Sequence, residues 1–292
     1  MFKFFLYKFG QFWVRRLSLK TAYRLAMFVS ELQYYFSPRD RRAVKNNLRT
    51  ITKSDEGLDL KAKEVFRNFG KYLVEFFRMA NEIDERFIRE KVKVENLQHL
   101  NDASAQGKGV IFLTAHIGNW ELGGLIMGMM GYPTLAIALP HKERPVNDLF
   151  NKQRELRGVT VVPLSQAVHR CLSALRSNKA VAVLADRDFT NNGEIINFLG
   201  RDVLIPKGAA IFALKTGAVI LPTFLVRGED DSFILHFEPP IHPPLVTNSQ
   251  VDQATLVNLM KRYAVVIEEQ IRKYPTQWLM FREFWDKEAN VV

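Results

Sequence analysis

Apolar residues recur along this chain in two rhythms. Near the start, Phe2, Phe5, Leu6, Phe9, Phe12, Trp13 and Leu17 repeat at helical spacing, interrupted by Lys3, Lys8, Arg15 and Arg16. Leu25, Phe28, Val29, Leu32 and Phe36 repeat the pattern before Pro38, so two amphipathic helices are expected over residues 1–36. Residues 37–56 are polar and basic. Val65, Phe69, Leu73, Phe76 and Phe77 then mark a third helix over 59–80. Beyond it the rhythm changes to short β-rich apolar runs, at 110–115, 134–139, 159–164, 180–185, 218–227 and 232–238. Helical stretches at 120–130, 145–157, 165–177, 208–216 and 250–273 separate them. Such alternation predicts an α/β domain over residues 37–292, with a largely parallel sheet covered by helices on both faces. The last two runs, joined through "GEDD", predict an antiparallel hairpin at the sheet edge. No repeat or low-complexity tract divides the domain.

Charge sharpens this picture at one end only. The 292 residues carry a formal net charge of +10, and residues 1–50 hold eleven Lys/Arg against only Glu31 and Asp40. That end is suited to an anionic surface: lipid headgroups, nucleic acid or an acidic carrier protein. The aromatics follow one helical face and no recognition motif is present, which sets nucleic acid aside. No run of about eighteen residues escapes charge, so no membrane span is expected. Lysines inside the first apolar stretch, with no small-residue cleavage site after it, do not read as a secretory signal. Aromatics opposite cations describe helices lying in a bilayer interface. Packing on the chain's own domain competes with that reading, more strongly for residues 21–36. The single cysteine, Cys171, excludes an intramolecular disulfide and reads as a core thiol.

The candidate chemistry lies in "VIFLTAHIGNWELGG", residues 110–124, where a strand runs into His116 and Glu121 follows five positions later. Ligands of open α/β sheets gather beyond the carboxyl ends of the strands. On one continuous helix the two side chains would diverge by about 140°. A strand ending at His116, a turn through Gly118 and a helix capped by Asn119 would instead let Glu121 point back at the imidazole. A carboxylate on one ring nitrogen fixes the tautomer and leaves the other free to take a proton from a hydroxyl. No Ser or Cys nucleophile stands nearby and G-x-S-x-G is absent, which favours direct attack by an alcohol on a thioester. A metal site is disfavoured: H-E-x-x-H is missing and the remaining histidines show no ligand spacing, with His236 and His242 read as structural.

These residues carry a resemblance. "AHIGNWE" resembles the H-x4-E signature of the glycerolipid acyltransferase superfamily, specifically its lipid A late acyltransferase and phosphatidylinositol mannoside acyltransferase branch. Supporting blocks are "HKERPVNDLFNKQRELRGVTVVPL" (141–164), "LADRDFTNNGEIINFLGRDVLIPKGAAIFALKTGAVILPTFLVR" (184–227) and "YPTQWLMFREFW" (274–285). The resemblance implies a mixed sheet flanked by helices, behind a membrane-facing N-terminus at the cytoplasmic face of a bacterial inner membrane. It also implies transfer of a fatty acyl chain from acyl carrier protein or coenzyme A to a glycolipid such as a lipid A precursor, without a cofactor or metal. A mannoside-type acceptor, which "LADRDFTNNG" favours, or a silent scaffold of the same fold are the alternatives.

Within those blocks, Arg157 matches a family position thought to meet the substrate's anionic group or the reacting oxygen, and Arg154 is an equally reachable partner. Asp186 and Asp188 follow a strand and could orient an arginine or sugar hydroxyls, or cap a turn. Arg187 between them is expected to face the other way. Lys207 with the amides around Gly208 could hold a phosphate or oxyanion at a helix start, or merely begin the helix. Trp278 and Phe281 read as core. The Met- and Gly-rich stretch 122–132 reads as core or as the lining of an acyl slot.

Overall fold

The computed structural model describes residues 2–138, 143–155, 159–245 and 251–286. Four helices come first: α1 (Phe2–Arg16), α2 (Leu19–Phe36), α3 (Pro38–Thr52) and α4 (Leu58–Glu82). Ser18 caps α2 by accepting from the Thr21 amide at 3.2 Å, and Pro38, whose missing N–H costs nothing at a first helical position, opens α3. The polar stretch 37–56 thus holds a helix the periodicity did not announce. Its buried stripe is only Ala43, Val44, Asn47, Leu48 and Ile51, and Asn47 is there to hold the far end of the chain. Its Nδ2 donates to the carbonyls of Met280 and Arg282 at 3.1 and 2.7 Å, while its Oδ1 accepts from the Phe284 amide.

Helix α2 lies against α4 so closely that a Cβ at Gly70 would stand 2.9 Å from the Ala26 carbonyl oxygen. Ala22, Tyr23, Ser30 and Tyr34 are the buried residues of α2. The apolar stripe read from the sequence is therefore not what packs on the domain: Leu25, Phe28, Val29, Leu32 and Phe36 are exposed, as are Phe5, Leu6, Phe9, Phe12 and Trp13 of α1. Among the described residues no helix is long and apolar enough to cross a membrane.

Next come α5 (Glu85–Lys91), β1 (Val92–Glu95), α6 (Leu97–Ala105), β2 (Val110–Thr114), α7 (Trp120–Met129), β3 (Thr134–Ala138) and α8 (Arg144–Glu155). They are followed by β4 (Val159–Pro163), α9 (Leu164–Arg176), β5 (Ala180–Leu184), β6 (Glu194–Phe198), β7 (Arg201–Ile205) and α10 (Gly208–Thr216). The chain then forms β8 (Val219–Arg227), β9 (Phe233–Phe237), α11 (Gln253–Lys273) and a 3-10 turn over Pro275–Gln277.

Seven strands form one mixed, mostly parallel sheet in the order β1-β9-β8-β2-β5-β3-β4. The β8–β9 pair is antiparallel, as the "GEDD" connection implied, but it is not the edge: β1 pairs in parallel with β9 and takes that place. Strands β6 and β7 form a separate antiparallel hairpin, turning through Leu199 and Gly200, both at positive φ. Central β2 and β8 are almost wholly buried, as strands covered on both faces must be. One core layer gathers Ile111, Leu113, Leu175, Ala213 and Tyr263, and the other Phe76, Phe112, Leu122, Ile126 and Phe150. Cys171 is a buried core thiol, pushed up to about 11 chiefly by that burial.

Candidate active site

The site begins with a register. Strands β2 and β5 run side by side in parallel with Thr114 opposite Leu184, so both end at the same level. Two residues further along each lie His116 and Asp186. The Ala185 amide donates to the Thr114 carbonyl at 2.9 Å, which carries the alignment past the strand ends. Asp186 Oδ1 then lies 2.8 Å from His116 Nδ1, and Oδ2 accepts from the His116 amide at 3.0 Å and from Trp278 Nε1 at 2.9 Å. Asp186 is fully buried. Burial alone would raise its carboxyl pKa, but the charge of His116 and the hydrogen bonds from His116 and Trp278 outweigh it and hold the group below the usual carboxylate range.

An ionised carboxylate only accepts, so Nδ1 carries a proton in either charge state of the ring, and in the neutral imidazole the lone pair lies on Nε2. No hydrogen bond engages Nε2 among the described residues. The imidazole is 19% exposed. Trp120 packs edge-on to the ring at 4.9 Å between centroids, and Phe189 stands at 6.4 Å.

The loop that carries the imidazole is clamped from the C-terminal segment and from β8. The Leu279 amide donates to the His116 carbonyl at 2.8 Å, Gly118 N to the Gln277 carbonyl at 2.9 Å, and Asn119 N to the Leu225 carbonyl at 2.9 Å. Gly118 has φ of 61°, and a Cβ there would fall 2.0 Å from the Leu225 carbonyl oxygen, so only glycine fits. Asn119 caps α7, as its sequence position suggested, by accepting from the Leu122 amide at 3.0 Å. Its Nδ2 donates to buried Glu75 on α4 at 2.6 Å. Glu75 also accepts from the Tyr23 hydroxyl of α2 at 2.6 Å and ion-pairs with the Arg227 guanidinium of β8. Gln277 brackets the Arg227 backbone with two 2.8 Å bonds.

Several sequence-based expectations need correction. No hydrogen bond joins His116 to Glu121. Glu121, in the first turn of α7, is taken by Arg154 of α8, whose Nε donates to both carboxylate oxygens at 2.9 and 3.0 Å and whose terminal nitrogen lies 2.5 Å from Oε1. Two-point guanidinium binding claims the carboxylate that the local spacing offered to the imidazole. Arg154 is accordingly a fixed cation with little exposure rather than a free helix-end charge.

Asp186 orients the imidazole, not an arginine or a sugar. Asp188 caps its own loop, accepting from Thr190, Asn192 and Gly193. Lys207 is held by Glu194 and Asn192, each at 3.2 Å, and Gly208 simply opens α10. Arg187 stacks on Phe189, its guanidinium 4.1 Å over the ring. Arg157 lies outside the described residues. Trp278, read only as core, is buried but also donates to Asp186. A Trp in the C-terminal block was visible in the sequence; its acceptor, distant along the chain, was not.

Beside Trp120 a small apolar cavity of about 40 Å³ opens between α7 and the sheet. Gly123, Gly124 and Met127 line it with Phe112, Thr223 and Leu225, while Leu122, Leu125 and Ile126 of the same stretch are core. A polar cleft of about 300 Å³ between α3 and the C-terminal segment includes none of these groups.

Comparison with known proteins adds a name to this geometry. The family model described as bacterial lipid A biosynthesis acyltransferase matches residues 1–287. The chain belongs to this family. As an acyltransferase of the lipid A and phosphatidylinositol mannoside type, it is 30% identical over 224 residues to a phosphatidylinositol mannoside acyltransferase of Mycobacterium tuberculosis (strain ATCC 25618 / H37Rv), covering 75% of this chain and 68% of that one. It is 27% identical over 218 residues to the lipid A biosynthesis palmitoleoyltransferase of Escherichia coli (strain K12), covering 74% and 68%. A crystal structure of the 1-acyl-sn-glycerophosphate acyltransferase PlsC from Thermotoga maritima aligns over 86% of this acyltransferase and 94% of PlsC, with a TM-score of 0.38 and 12% identity.

Proposed function

We propose that this acyltransferase moves a fatty acyl chain from a thioester of acyl carrier protein or coenzyme A to a hydroxyl of a glycolipid resembling a lipid A precursor, with His116 as general base and Asp186 as the group that positions it. The observation that carries the reading is the Asp186–His116 pair, which leaves Nε2 open at the carboxyl end of the sheet. The acceptor hydroxyl gives its proton to Nε2 as its oxygen attacks the thioester carbonyl. The tetrahedral intermediate collapses, the C–S bond breaks, and the imidazolium returns the proton to the departing sulfur. Asp186 stabilises the imidazolium in between. No covalent acyl-enzyme and no cofactor is required. Glu121 enters the scheme by fixing Arg154. In this scheme the cavity of about 40 Å³ against Trp120 marks the opening of the acyl slot.

The 30% identity to a mannoside acyltransferase favours a second acceptor, a phosphatidylinositol mannoside. Purified protein incubated with labelled acyl carrier protein thioester, acyl-coenzyme A and both acceptor classes, beside His116→Ala, tests the reading. Transfer that falls by about 10²–10⁴-fold in the variant is expected. Undiminished transfer in His116→Ala, or none by the wild type from either donor, would refute it.

The exposed stripes of α1 and α2, with Lys8, Arg16, Lys20 and Arg24 also exposed, are the membrane-facing surface in this proposal. Each large apolar side chain removed from water contributes roughly 1.5–3 kcal/mol. Replacing Phe5, Phe9 and Phe12 together by Glu should lower co-sedimentation with phosphatidylglycerol-containing vesicles by more than about tenfold. Retention of wild-type binding would place the docking surface elsewhere.

A further inference from the structure

Two neighbouring tryptophans near the end of the chain satisfy their indoles in different ways. A buried indole N–H needs an acceptor, and Trp278 and Trp285 are 2% and 8% exposed. Trp285 Nε1 donates to a backbone carbonyl, that of Phe198, at 3.1 Å. Trp278 Nε1 donates instead to Asp186 Oδ2 at 2.9 Å, on the carboxylate that already holds His116. Filling the core calls only for the first arrangement. A hydrogen bond to an ionised acceptor is shorter and stronger than one to a carbonyl, and here it falls on the group that sets the imidazole.

The terminal torsion of an aspartate is soft, so a single bond to Nδ1 does not fix the plane of the carboxylate. Two donors converge on Oδ2, the His116 amide at 3.0 Å and the indole, and leave Oδ1 to Nδ1 at 2.8 Å. The amide belongs to the same residue as the imidazole, whereas the indole comes from a segment 92 positions beyond Asp186. That segment is itself tied down. Trp278 stands edge-on to Phe284, with ring centroids 4.9 Å apart, and a β-bridge pairs it with Ile117. Asn68 of α4 donates to the Thr276 carbonyl at 3.0 Å, and Asn47 of α3 accepts from the Phe284 amide at 3.1 Å.

We propose that Trp278 is a positioning residue for acyl transfer, its indole N–H locking the Asp186 carboxylate in the orientation that keeps Oδ1 on His116 Nδ1. This role rests on His116 as the base and Asp186 as its partner, and deepens that reading. Trp278 acts through Asp186, so removing its donor should lower kcat and leave KM within about twofold. Trp278→Phe is the change required: it keeps an aromatic ring against Phe284 and deletes the donor.

A double-mutant cycle of transfer kinetics on the full-length protein tests the role. Trp278→Phe should lower kcat by about tenfold or more, the weight of one hydrogen bond to a charged group. In an Asp186→Ala background the same change should cost nothing further, because no carboxylate is left to orient. Phe284→Leu loosens the same aromatic packing without touching a donor, and should act alike in both backgrounds. A second reading needs no change at position 278. The Trp278 indole proton, assigned by replacing the other three tryptophans in turn, should move upfield in Asp186→Ala while that of Trp285 stays. Equal losses of kcat from Trp278→Phe in both backgrounds, a loss confined to KM, or an indole proton indifferent to Asp186 would each overturn the role. Full activity in Trp278→Phe beside a slow Asp186→Ala would overturn it alone, whereas full activity in Asp186→Ala would remove the partner of the base and this role with it.

Discussion

Asp186→Asn is expected to lower acyl transfer by about 10²–10⁴-fold in a protein that still folds. The size follows from the donors around the side chain. At the Oδ2 position two N–H groups, the His116 amide and Trp278 Nε1, both need an acceptor. An asparagine must therefore place its amide oxygen there, and its NH₂ then faces His116 Nδ1. Two donors cannot share that bond, so Nδ1 must accept, and the proton moves to Nε2. The nitrogen that has to take a proton from the acceptor is then already protonated, and the anion that stabilised the imidazolium is gone. Glu121→Gln has a different signature. It loosens Arg154, which loses a buried counter-charge, but it leaves the imidazole and its tautomer intact. Transfer rates of the two variants, with circular dichroism to confirm folding, distinguish these roles. Wild-type transfer by Asp186→Asn would remove it from the mechanism.

Glu75→Gln should destabilise the fold by about 3–5 kcal/mol, with a fall in Tm on the order of 10 °C. Glu75 and Arg227 are 3% and 8% exposed, and the pair joins α4 to β8. Burial would lower the Arg227 pKa, but Glu75 and then Tyr23 outweigh it and raise the group above its ordinary value. A neutral amide at position 75 leaves that guanidinium buried without its anion. It also disturbs Tyr23 on the exposed helix α2 and Asn119 at the start of α7, so the loop that holds His116 loses a support. Adding Arg227→Met to Glu75→Gln removes the stranded charge and should recover part of the loss. A melting temperature for Glu75→Gln within about 1 °C of the wild type would show that the network is not what holds these elements together.

What could be read in the sequence was local. Six apolar runs correspond to β2, β3, β4, β5, β8 and β9 because a strand covered on both faces must be apolar throughout. Asn119 and Gly118 betrayed the turn into α7 because a helix cap and a positive φ are local features, whereas their contacts with Glu75 and Leu225 were not legible. Strand β1, "VKVE", is too short and too charged to stand out, and α3 buries too few apolar residues among its basic ones. The His116 partner was missed for a related reason. Glu121 is five residues away, whereas Asp186 is seventy, and only the pairing of β2 with β5, a non-local fact, brings it alongside. The apolar stripe of α2 was drawn correctly as a pattern, yet whether it faces the domain or solvent depends on α4, which buries the opposite side.

The central claim is that Asp186 keeps the proton on Nδ1 of His116 and leaves Nε2 as the base. Nitrogen-15 NMR of the histidine side chains at pH 8.5, with the His116 signals assigned through His116→Ala, reads this directly. The result expected is a protonated Nδ1 and a bare Nε2 in the wild type and in Glu121→Gln, reversed in Asp186→Asn. A bare Nδ1 in the wild type, or a tautomer that changes with Glu121 and not with Asp186, would contradict it.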